Sequence, residues 1–93
     1  MYVRCIFLYN AKKSDAVRVN GKLVKVRDKP ERDLELRGGL RVIFADNFAD
    51  ARAAGIQERI DSLFLDLNEL RGGSEVTDFA VLGRRAKISV EVL

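Results

Sequence analysis

Histidine and tryptophan are both missing from this 93-residue chain. Without histidine there is no default general base at neutral pH, no triad built on one, and none of the commonest metal ligand. Cysteine occurs once, at Cys5, so neither an intrachain disulfide nor a thiolate zinc cluster can form. There is a single proline and the seven glycines are scattered, which excludes collagen-like and low-complexity chains. No apolar run reaches the roughly 18 residues needed to span a bilayer. The segment Met1-Tyr2-Val3-Arg4-Cys5 lacks a basic leader, a long apolar stretch and a small-residue cleavage site, so no secretory signal is expected. A lone thiol and no signal fit a reducing, cytoplasmic compartment. No cofactor, metal or membrane partner is expected.

What remains is ordinary for a single compact domain over 1–93, with 47% apolar and 33% charged residues. The net charge of +3 conceals a division. Residues 1–41 hold eleven Lys/Arg against five Asp/Glu, whereas residues 42–93 hold six against nine. A basic half is joined to an acidic half, the distribution of a chain that meets an acidic partner.

The first strand is expected over 2–9. Val3, Cys5, Phe7 and Tyr9 share one parity and Tyr2, Ile6 and Leu8 the other, so the strand should be central and covered on both faces. Asn20-Gly21 between alternating residues predicts a type I′ hairpin pairing Val19 with Lys22 and Val17 with Val24. Its outward face is mostly cationic, with Arg18, Lys25 and Arg27. Residues 33–45 alternate strictly and read as one long strand bent at Gly38-Gly39; a hairpin at the two glycines is the rival. A helix over about 47–71, capped by Asp46 or Asn47, is read from the 3–4 spacing of Ala49, Ala53, Ile56, Ile60, Leu63, Phe64, Leu67 and Leu70. Gly55 within it marks close packing. A closing hairpin around Gly83-Arg84 pairs Val81 with Ala86, Phe79 with Ile88 and Thr77 with Val90. The fold class is therefore α+β: about six strands in one twisted, mainly antiparallel sheet, ordered β-β-β-β-α-β-β, with one long helix on one face.

No nucleotide-binding fingerprint is present. The carboxylate pairs on the helix read as a solvated face, and Cys5 reads as core filler. On the helical wheel Leu65 falls opposite the apolar stripe, ringed by Glu58, Asp61 and Glu69. That is the layout of an apolar anchor with a polar rim. Ile43 and Ala80 belong to a surplus of apolar positions on the sheet, a second candidate interface. Lys12, Lys13, Arg18, Lys22, Lys25 and Arg27 form a candidate surface for an acidic partner. Together these features point to a non-catalytic protein-binding module, a small adaptor, regulator or inhibitor that occludes a partner's surface, as some phage and mobile-element proteins do. Homodimerisation through sheet edges or the apolar face is a further expectation. The alternative is a nucleic-acid-binding module using the basic hairpin.

Overall fold

The computed structural model describes residues 4–28, 33–36, 40–58, 62–81 and 84–93. It is a small α+β fold, but with two sheets and a divided helical region in place of one sheet and one long helix. The elements in chain order are β1 (Arg4–Tyr9), β2 (Ala16–Val19), β3 (Lys22–Lys25), a 3₁₀ turn (Val26–Asp28), β4 (Asp33–Leu36), β5 (Leu40–Phe44), α1 (Phe48–Glu58), β6 (Ser62–Asp66), α2 (Leu67–Leu70), β7 (Ser74–Val81) and β8 (Arg84–Val92).

The first sheet has the strand order β4-β5-β1-β6 and is mixed: β1 runs parallel to both β5 and β6, and β4 is antiparallel to β5. The second sheet, β3-β2-β8-β7, is antiparallel throughout. One core lies between the sheets, where Ile6, Leu8, Val42, Phe44 and Leu65 meet Val17, Val19, Val24, Ile88, Val90 and Val92. The other lies between the first sheet and α1, where Cys5, Phe7 and Ala45 meet Ala51, with Tyr9, Ile43, Ala54 and Phe64 against them. The layers are thus sheet, sheet and helix. β1 is the central strand with both faces covered, as its two apolar parities require.

Local signals account for several junctions. Asn20 and Gly21 take φ values of +49° and +83°, the left-handed pair a type I′ turn requires. The register across them pairs Val19 with Lys22 and Val17 with Val24. The side chain of Asn47 caps α1 by accepting the Asp50 N–H at 2.9 Å. Gly55 sits where an added Cβ would lie 3.0 Å from Cζ of Phe64, so its small size lets α1 settle on the sheet.

Three expectations fail for physical reasons. The long helix ends at Glu58, and Ser62–Asp66 is a strand. As a strand, Leu63 and Leu65 turn to the inter-sheet core while Phe64 turns to α1, so every apolar residue of the segment has a partner. As a helix, Leu65 would be stranded on an acidic face. β4 and β5 pair antiparallel, as the hairpin requires and one bent strand does not: Leu34 pairs with Val42 and Leu36 with Leu40. A two-residue turn at Gly38-Gly39 would mix the faces, but this register leaves three residues, 37–39, between the paired ends and keeps the alternation. Those three residues lie outside the described chain. In the last hairpin Val81 pairs with Arg84, Phe79 with Ala86 and Thr77 with Ile88, two residues from the expected register. A slip of two leaves every side chain on its original face, so the apolar pattern could not choose between the registers.

Candidate functional site

The six residues expected at an apolar interface do not form one patch. Leu65 is 8% exposed and belongs to the inter-sheet core, so the reason for seeking a partner for it disappears. Ile43 is half-buried on the opposite face of the first sheet, beneath α1. Glu58 ends α1, Glu69 is exposed on α2, and Ala80 lies in β7 of the other sheet. Asp61 lies outside the described residues. Of the apolar surplus, Ile6, Leu8 and Ile43 are covered because the first sheet is packed on both sides, whereas Val76 of β7 is 62% exposed and Leu23 of β3 is 47% exposed.

The cationic residues behave differently. Lys12 and Lys13 lie in the loop after β1, while Lys25 ends β3 and Arg27 follows in the 3₁₀ turn. The fold brings the two segments together around a shallow recess of about 160 Å³ lined by Lys13, Ser14, Asp15, Ala16, Lys25 and Arg27. Lys22 is exposed at the opposite end of β3, beside the hairpin turn. Arg18 is not simply solvated: its guanidinium reaches Glu91 across the β2–β8 pair at 2.5 Å. Both partners are substantially exposed, so this pair contributes about 0.2–1 kcal/mol.

Beneath the recess lies a polar network that sequence reasoning missed. Asp15 is 7% exposed, the one buried charged residue among the described ones. One of its carboxylate oxygens accepts the Lys12 N–H at 2.8 Å, and the other accepts from the Arg71 guanidinium. Arg71 also donates to the Asn10 carbonyl at 2.7 Å and to Oδ1 of Asn68 at 3.2 Å. The Asn10 side chain donates to Asp66 at 2.8 Å, and Asp66 in turn caps α2 through the Asn68 N–H at 2.9 Å. Asn10 holds φ at +58°, a conformation asparagine tolerates better than most residues. That is the only signal the sequence carries here, since Asp15 and Arg71 are separated by 56 positions.

Tyr9, at the end of β1, packs edge-on against Phe48 with ring centroids 5.2 Å apart. Burial pushes its hydroxyl pKa above the ordinary value of 10.0, and the nearby Asp66 and Glu69 carboxylates push it further. The folded state therefore favours the neutral phenol. Its contribution to stability is complete below the unfolded pKa near 10.0 and is lost as pH rises through the higher folded value. Absorbance titration should show one tyrosine ionising late, and Tyr9→Phe should remove that step and flatten the alkaline loss of stability. An unchanged alkaline limb would contradict the assignment.

Cys5 is fully buried, so its thiol is inaccessible to a substrate. Among the described residues no group of His, Cys, Asp and Glu is arranged to hold a metal, and no helix is long and apolar enough to cross a membrane. Fold and site together define a small α+β domain with a cationic recess between two segments, one of them held by the part-buried Asp15–Arg71 ion pair. Comparison of the chain with protein-family models, with curated proteins and with solved structures finds no match.

Proposed function

We propose that the chain is a non-catalytic protein-binding module, an adaptor, regulator or inhibitor, whose cationic corner engages an acidic surface of a partner. The observation that carries this reading is the convergence of Lys13, Lys25 and Arg27, from two separate segments, on one recess with Lys12 in the adjoining turn. Like charges held together raise the local potential and steer an acidic surface toward it. A nucleic acid ranks second, because among the described residues no aromatic ring lines the recess to stack on bases. Self-association is a second component of the proposal: β7 is an eight-residue strand at the end of its sheet's order, and such edges pair with other copies. Sedimentation velocity reads it directly, and a monomer throughout would remove it.

The acidic-partner reading is tested by affinity capture from native lysate, with and without nuclease. The bait is either the wild type or a variant carrying Lys12→Glu, Lys13→Glu and Lys25→Glu. A protein retained after nuclease treatment and lost with the variant supports the proposal. With that partner purified, the variant should slow association by about tenfold or more and change dissociation little. Capture that vanishes with nuclease transfers the function to nucleic-acid binding. Arg18 is left intact in this variant because reversing it would set a glutamate against Glu91.

A further inference from the structure

We infer that the recess is a subsite for one carboxylate group of an acidic peptide segment, an inference that rests on the acidic-partner reading. Size gives the first argument. At about 160 Å³ the recess is well below the roughly 300–1,000 Å³ of pockets that enclose a whole small molecule or cofactor. It has room for a head group whose remainder stays outside, which is how a side chain projecting from a peptide would sit.

The lining gives the second. Lys13, Lys25 and Arg27 supply cationic donors and Ser14 a hydroxyl, while Ala16 adds an apolar wall. Asp15 also lines the recess, but both of its carboxylate oxygens are engaged, one by the Lys12 N–H and one by Arg71. The cations of the lining outnumber it, so the recess stays net positive and attracts the carboxylate of an acidic side chain.

Rigidity gives the third. The Asp15 N–H donates to the Lys12 carbonyl at 2.9 Å, closing the turn that carries Lys13 and Ser14. The Asp15 carbonyl accepts the Val26 N–H at 3.0 Å, tying that turn to the segment bearing Lys25 and Arg27. The two backbone segments that carry the donors are thus held side by side before a ligand arrives.

A labelled hexaglutamate peptide, followed by fluorescence anisotropy at low salt, tests the inference. Wild type should bind it with an affinity that falls as salt rises. Lys13→Glu combined with Lys25→Glu should weaken binding about tenfold or more, and the milder Lys13→Gln with Lys25→Gln should weaken it in the same direction. Lys22→Glu, at the far end of β3 and outside the recess lining, should weaken it clearly less than the recess variants do. Far-UV circular dichroism checks that each variant is folded. Equal losses from Lys22→Glu and the recess variants would overturn the subsite while leaving the acidic-partner reading intact. No binding to wild type would overturn that reading itself. Inorganic phosphate displacing the peptide at lower concentration than acetate would replace the carboxylate with a phosphoryl group. A single-stranded oligonucleotide that binds more tightly through the same lysines would replace the peptide with a nucleic acid.

Discussion

Leu65→Glu should abolish the folded state, and Leu65→Ala should cost about 2–5 kcal/mol. Leu65 sits on β6 in register with Leu8 of β1, and both face the core between the sheets. A carboxylate there has no described partner and would be removed from water, at a cost of several kcal/mol. Small domains hold only about 5–15 kcal/mol in total, so one such insertion consumes most of the margin. Loss of far-UV signal and of a cooperative urea transition is the expected result. A Leu65→Glu variant that melts like wild type would put the side chain in solvent, where a continuous helix through 58–71 would leave it.

The second large effect is at Arg71. Arg71→Ala should destabilise the chain by about 3–5 kcal/mol, nearer the lower figure because water reaches part of the arginine side chain. The loss comes less from the missing attraction than from what is left behind. Asp15 would be left in a buried position with the Lys12 N–H as its remaining described donor. Asn10 would lose the donor to its carbonyl. Arg71→Lys should recover only part of the loss, because an ammonium cannot reproduce the fork that reaches Asp15, Asn10 and Asn68 at once. Urea unfolding of these variants beside Arg18→Ala makes the comparison internal. The exposed Arg18–Glu91 pair should cost at most about 1 kcal/mol, and an Arg71→Ala loss no larger than that would show the buried pair to be dispensable.

The parts of the fold legible in the sequence are those that local chemistry decides. Asn20-Gly21 dictates its turn and register through φ alone, Asn47 announces the start of α1, and the two apolar parities of β1 announce a strand covered on both sides. What escaped was decided by partners distant in the chain. Leu63, Phe64, Leu67 and Leu70 continue the 3–4 spacing of Ala49, Ala53 and Ile56, but those three are exposed on α1, which packs through Ala51 and Ala54 instead. The position beside β1 takes Ser62–Asp66 as a strand. Tertiary pairing overrides periodicity in so short a segment. The misfit of Leu65 on the helical wheel was the warning; it marked a wrong element and not an interface. The cationic side of the site was legible as a composition bias. Asp15 and Arg71, which fix its shape, were not, since nothing in either neighbourhood names the other.

The position of β1 also governs how the molecule must assemble. Cys5 takes Arg41 on one side and Ser62 on the other, while Val19 of β2 waits for Val90 near the end of the chain. Neither central strand can complete its hydrogen bonding with near neighbours. Apart from the β2–β3, β4–β5 and β7–β8 hairpins, the sheets close only across long spans of chain, and the entropy of each closure precedes its reward. For a molecule of its size, folding should therefore be slow. During synthesis the apolar first strand emerges well before the partners that cover it, and that interval is when aggregation competes most strongly.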